Sequence, residues 1–265
     1  MSPNRERPPE HVRAAFGVRG VDIEPLPGGS GWRCGDLVLK PVSDKAHAAW
    51  VARALDQVRL PELRVARPVR STDGRWIIAG WTANRYVSGV PEPRHDEVVL
   101  AAVKLHQATV GVARPDFLRH RKDVDAVADR IAWEEAEEPI DEYRGGRWFE
   151  VLSGARRPIR LPAQVVHGEL SGAVLFDGTA PPGVVDFMPY YRPAEWGAAI
   201  VAVDALAWGG ADIELLHRWS HLPEWPQLLL RAMLFRLAAH ALNPRSPRAT
   251  LDGLHAAAGD LSELI

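Results

Sequence analysis

Four short segments of the chain carry residue types that can do chemistry. Pro27-Gly28-Gly29-Ser30-Gly31 is a glycine-rich turn whose backbone N–H groups can approach a phosphate without Cβ obstruction. Lys40 follows, ending the apolar run Leu37-Val38-Leu39, where a strand can hold an ammonium group against the same phosphate. His167-Gly168-Glu169 places a carboxylate two residues after a histidine, in a loop able to present it to a substrate. Asp186 closes the apolar pair Val184-Val185, and a carboxylate at a strand end suits a hard cation such as Mg²⁺. Each segment has a plainer reading: a ligand-free hairpin turn, a solvated lysine on an apolar stem, and two loop-capping acids. Their order along the chain is what sets the chemical reading apart.

The elements that must position these groups fall into two textures. Residues 1–10, with three prolines and alternating charges, read as a mobile or loosely docked tail. From His11 to Val87 the chain predicts a short helix near His11–Phe16. Short β runs follow at Val21–Pro25, Leu37–Leu39, Val65 with Pro68-Val69, Trp76–Ile78 and Ala83–Val87, and one helix runs over Asp44–Val58 with Asp44 or Ser43 as cap. From residue 88 onward helical periodicity dominates: His95–Ala108, Asp123–Tyr143, Trp196–Trp208, Trp225–Leu242 and Thr250–Leu264. Residues 164–187 form a β island within it. The fold class is α+β, with an N-terminal lobe (11–87) of antiparallel sheet plus helix and a mainly helical lobe (88–265).

Composition narrows the function. The 265 residues are 46% hydrophobic and 25% charged, enough to bury a full core without a disulfide or metal staple. A net charge of −2 argues against a nucleic-acid or anionic-membrane binder, which needs basic excess. The lone cysteine, Cys34, suits a reducing compartment, and the opening MSPNRERPPEHVR has no apolar signal core, so a cytoplasmic location is expected. His167-Gly168-Glu169 also fits half of a zinc deaminase motif, but the required cysteine pair is missing.

Taken in order, the glycine loop, strand lysine, helix, hinge, helical lobe, His-x-acid loop and Val184-Val185-Asp186-Phe187 resemble the aminoglycoside phosphotransferase branch of the protein-kinase-like superfamily. The resemblance spans about residues 21–208 and includes Leu105-His106, Asp204-Ala205-Leu206-Ala207-Trp208 and the text from Trp32 to Pro41. It implies a two-lobed kinase-like fold with ATP and Mg²⁺ in a cleft between the lobes. By that resemblance Gly28, Gly29, Ser30 and Gly31 cover the phosphates and Lys40 contacts two of them. Asn84, Arg85, Tyr86 and Val87 form the hinge that meets adenine, Asp186 binds the metal, and Glu169 stands in the place of the catalytic acid.

Three positions depart from the family pattern. Glu169 replaces an aspartate and carries one more CH₂; a misplacement near 1 Å can cost on the order of 10²-fold in rate. Ala173 stands where an asparagine metal ligand is expected. The helix following Lys40 offers Arg53 and Asp56 on the face where an acidic partner belongs. The expectation is a degenerate phosphotransferase that binds nucleotide, transfers phosphate weakly or not at all, and acts through a peptide or protein partner. The alternatives are an active kinase for a small-molecule or peptide hydroxyl, and a nucleotide-free scaffold. The nine acids between Asp123 and Glu142 read as a solvated face, or with Arg144, Arg147, Arg156, Arg157 and Arg160 as a peptide groove. Trp50, Trp76, Trp133 and Trp208 are expected in the core; Trp32, beside the glycine loop, is the one that could instead lid an empty or filled nucleotide cleft.

Overall fold

A computed structural model describes residues 6–27 and 31–264, so Gly28, Gly29 and Ser30 of the glycine turn lie outside the described residues. The chain is α+β and divides into two compact units, residues 1–90 with 175–187, and residues 91–174 with 188–265. Sequence texture put the change at 87 and the whole β island with the helices. Residues 175–187 instead return to the first unit.

The first unit is built on an antiparallel sheet ordered β1-β2-β3-β6-β5: β1 (Ile23–Pro25), β2 (Trp32–Cys34), β3 (Leu37–Pro41), β5 (Pro68–Val69) and β6 (Trp81–Arg85). Leu37, Val38 and Leu39 are all buried, as expected for a central strand covered on both faces. On one face Leu37 and Leu39 join Trp32, Cys34, Trp81 and the side chains of Val12 and Phe16 from α1 (Glu10–Ala15) and the turn after it. After β3, Asp44 caps α2 (Lys45–Gln57) by accepting from the N–H groups of Ala46 and His47, worth about 1 kcal/mol. The predicted strand at Trp76–Ile78 reduces to one bridge between Ile78 and Trp81, because Ala79 and Gly80 both take positive φ (48° and 80°) and turn the chain back. The returning segment adds β9 (Gly183–Val184) parallel to β4 (Arg64–Val65), with β8 (Val174–Leu175) beside it.

Residues 6–10 are docked: Pro8 is buried, the Glu6 carbonyl accepts from Trp32 Nε1 at 2.9 Å, and Arg7 lies over the Trp32 ring. Trp32 is consequently a core residue, 8% exposed, and not a lid.

The second unit packs α3 (His95–Ala108), α4 (Val124–Ala132), α5 (Gly146–Ser153), α6 (Ala194–Trp208), α7 (Glu214–Arg218), α8 (Trp225–Leu242) and α9 (Arg248–Ser262) with a hairpin-like pair, β7 (Ala163–His167) and β10 (Pro189–Pro193). α6 and α8 are buried almost all round and form its centre. The long helix expected over Asp123–Tyr143 ends at Ala132, where Glu134 takes a left-handed conformation (φ 61°). β10 escaped the sequence reading because prolines bound it, which is compatible with an end position in a two-stranded pair. Trp208 is 45% exposed and not core; its Nε1 donates to the Thr250 carbonyl.

His106 ties three of these elements together. Its Nε2 accepts from the backbone N–H of His167 at 3.0 Å, which leaves Nδ1–H to donate to the Ala194 carbonyl at 2.8 Å. Gly197 on α6 makes room, since a Cβ there would overlap His106 Cε1 and come within 3.0 Å of the His167 carbonyl. Burial, against the partial support of the Ala194 carbonyl, drops the His106 pKa to about 3. Between pH 6.5 and 3 the unfolded chain takes up a proton that the folded one refuses. Stability is therefore complete above pH 6.5 and is expected to fall with acidification by about 1.4 kcal/mol per pH unit from this group, read from urea unfolding across that range. Gly197→Ala is expected to cost about 1–3 kcal/mol in the same assay, as overpacking does.

Candidate functional site

The first unit brings together Gly31, Lys40, the hinge residues and Asp186. Gly31 lies so close to β3 that a Cβ would stand 2.8 Å from both the Leu39 carbonyl and Lys40 Cγ, so the glycine is a packing requirement as well as a loop feature. Lys40 reaches Asp186 and forms an ion pair with its Oδ1. Asp186 itself sits at φ 53°, an unfavourable backbone for a non-glycine residue and one that recurs at functional sites. Asp56 does not serve Lys40: it lies 3.8 Å from Arg70 and is exposed, as is Arg53. With no other acid on α2, the strand lysine takes the strand-end aspartate instead.

Asn84 and Arg85 belong to β6 and only Tyr86 and Val87 extend past it. Asn84 Nδ2 donates to the Ala66 carbonyl, the Arg85 N–H to Arg67, and the Tyr86 N–H to Asp36, while Arg33 stacks 4.0 Å over the Tyr86 ring. Val87 packs against Gly183 so closely that no Cβ fits there. Arg64 fixes the adjoining segment through the carbonyls of Pro181 and Ser88, and Ser88 hydroxyl donates to Asp177.

In the second unit, His167-Gly168-Glu169 runs from the end of β7 into a tight loop. Gly168 presses on the Tyr190 ring, leaving no room for a side chain. His167 Nδ1 accepts from the Glu169 N–H at 3.1 Å and so sets the loop's course. The Glu169 carboxylate is not free. Arg236 from α8 binds its two oxygens at 3.0 and 3.3 Å, and the same guanidinium binds both oxygens of Asp204 from α6 at 2.7 and 2.6 Å. Ser171 hydroxyl donates to Asp204 at 2.6 Å. Arg236 and Asp204 are 8% and 4% exposed. Burial pushes the Glu169 pKa up, Arg236 pulls it partly back, and Asp204 and Asp125 nearby push it up again. Sequence reasoning missed Arg236; the available signal was a charged residue inside an apolar helix, with Asp204 inside the apolar stretch of α6 as its counterpart.

In the first unit Asp186 offers one carboxylate to a hard cation such as Mg²⁺. In the second unit Ala173 and Val174, four and five residues after Glu169, are buried apolar side chains. Among the described residues no group of three or more His, Cys, Asp or Glu could hold a metal ion.

Four of the nine acids from Asp123 to Glu142 are engaged with arginines, while Glu137, Glu138, Asp141 and Glu142 are exposed. Arg121 pairs with Asp123, Arg192 with Asp129 and Glu135, and Arg231 and Arg156 with Glu134. Arg144 caps α8 through the carbonyls of His240, Ala241 and Asn243. These charges tie elements together, and a peptide groove is not supported. No helix among the described residues is long and apolar enough to cross a membrane.

No family model matches the chain, and no curated protein matches its sequence. Solved structures do match in fold. Spectinomycin phosphotransferase in an AMP-bound complex superposes with a TM-score of 0.61 at 11% identity, covering 96% of each chain. A choline/ethanolamine kinase family protein from Mesorhizobium loti gives 0.61 at 18%, covering 96% of this chain and 94% of the other. Amicoumacin kinase in complex with AMP-PNP, Ca²⁺ and Ami gives 0.54 at 16%, covering 91% and 84%. The chain therefore has the aminoglycoside phosphotransferase-like, kinase-related fold, and at these identities the likeness reaches no further.

Arg236→Met would leave Glu169 and Asp204 facing one another without a cation. The expected cost is about 3–5 kcal/mol of stability, with a further rise in the Glu169 pKa followed by carboxyl ¹³C NMR. Unchanged stability and an unmoved Glu169 titration would show that Arg236 does not clamp the pair.

Proposed function

We propose that the protein binds a nucleoside triphosphate and transfers its phosphate weakly or not at all. The observation that carries this reading is the hold of Arg236 on both oxygens of Glu169. A general base needs a lone pair aimed at the hydroxyl it deprotonates, and geometry comes before pKa in that test. Phosphoryl transfer depends on positioning and charge neutralisation, and the donor at 173 that would complete a second metal position is absent.

Nucleotide binding needs less. In this reading Gly28, Gly29, Ser30 and Gly31 cover the phosphates and Lys40 meets them once it leaves Asp186. Asn84, Arg85, Tyr86 and Val87 carry the adenine edge. Asp186, released from Lys40, would hold one Mg²⁺, supplying charge neutralisation at the phosphates, an arrangement Mg²⁺ accepts because it keeps several waters. The complexes of similar folds with AMP and AMP-PNP support this part. The same structures, a phosphotransferase and kinases of small molecules, favour a slow small-molecule kinase as the second reading over a peptide kinase.

Turnover separates the two. The unmodified chain is expected to transfer γ-phosphate at far below the 1–100 s⁻¹ typical of kinases. Glu169→Asp combined with Ala173→Asn is expected to raise ATP turnover by about 10²-fold. Turnover of the unmodified chain within the kinase range would overturn the reading in favour of an active enzyme.

A further inference from the structure

Apart from the groups discussed above, the second unit holds a cavity of about 70 Å³ walled by guanidinium groups. Arg114, Arg119, Arg121, Arg130 and Arg192 all line it. Two of them are held by carboxylates. Arg192 binds Asp129 at 2.9 and 2.8 Å and Glu135 at 2.6 and 2.8 Å, and Arg121 binds Asp123 at 2.9 and 2.8 Å. Among the described residues no carboxylate lies within ion-pair distance of Arg114, Arg119 or Arg130. Arg114 lies 4.9 Å over the Tyr191 ring, and Arg130 donates to the Arg121 carbonyl.

Five guanidiniums thus face three carboxylates, leaving two positive charges in excess around a partly enclosed space. Arg192 is 8% exposed and is neutralised by its two acids, whereas of the arginines that carry the excess Arg130 is half-buried and Arg114 and Arg119 are exposed. Like charges gathered around one opening repel unless an anion joins them. The space exceeds the share of two waters, about 30 Å³ each in the liquid, and suits one tetrahedral oxyanion. A phosphate group carries about −1.5 to −2 near neutral pH, which matches the excess.

We propose that this cavity is a second anion site that takes a single phosphate group, either inorganic phosphate or the phosphomonoester end of a small molecule. Arg192 and Arg121, fixed by their carboxylates, form a rigid floor. Arg114, Arg119 and Arg130 supply the uncommitted N–H donors, in the fork geometry that fits phosphate oxygens. No group here belongs to the proposed nucleotide site, so the two readings stand or fall separately.

Calorimetry with inorganic phosphate and, separately, glycerol phosphate tests it, on the full chain at constant ionic strength set with chloride. One phosphate group per chain is expected to bind, equally in the unmodified protein and in Lys40→Ala. Arg114→Gln with Arg119→Gln is expected to weaken it about tenfold or more, the loss of a charge-assisted hydrogen bond, and Arg130→Gln alone to weaken it in the same direction. The tighter of the two probes identifies the source. Absence of binding to the unmodified chain, equal affinity in the arginine variants, or loss in Lys40→Ala would overturn the proposal.

Discussion

One buried guanidinium governs the second unit. Arg236 sits in α8 among apolar side chains and is the common partner of Glu169 on the loop after β7 and Asp204 on α6. Desolvating three charges is costly, and what offsets it is four hydrogen bonds from one fork together with the Ser171 hydroxyl on Asp204. The arrangement lets two nearly all-apolar helices carry charge at their centre. It also holds both oxygens of Glu169. A single interaction therefore anchors the loop to the core, and in the proposed reading it withdraws the acid from chemistry.

The first unit shows a matching economy of partners. α2 carries no acid that reaches Lys40, so the lysine pairs with Asp186, the carboxylate that the fold offers for a cation. That pair is half in solvent, and an exposed ion pair contributes little to stability. In the proposed reading its importance is chemical: phosphates replace the aspartate at Lys40, and a cation replaces the lysine at Asp186. The positive φ of Asp186 shows that the backbone is held at this spot against its own preference.

Much of this was legible in the sequence, for identifiable reasons. α3 and α8 were read with their observed limits because their apolar residues recur at helical spacing, and Asp44 was read as a cap because its side chain acts locally. The order of the glycine turn, Lys40, Glu169 and Asp186 carried the fold. What the chain's text could not yield was pairing across distance. Arg236 meets Glu169 and Asp204 only because α6 and α8 cross behind the β7 loop, and no periodicity records that. The same limit hid Asp129 and Glu134 among acids that are mostly solvent-exposed as expected: Arg192 and Arg231 bind these two from elsewhere in the chain. Trp208 misled in the other direction: it continues an apolar helix pattern but lies at the end that meets solvent.

In the proposed reading nucleotide recognition persists where full cation coordination does not. Calorimetry of ATP binding with and without Mg²⁺ is the decisive measurement. One ATP per chain is expected, with affinities that differ by only a few-fold between the two conditions. Binding that requires Mg²⁺ outright and takes up two ions with each nucleotide, or no binding of ATP at all, would contradict it.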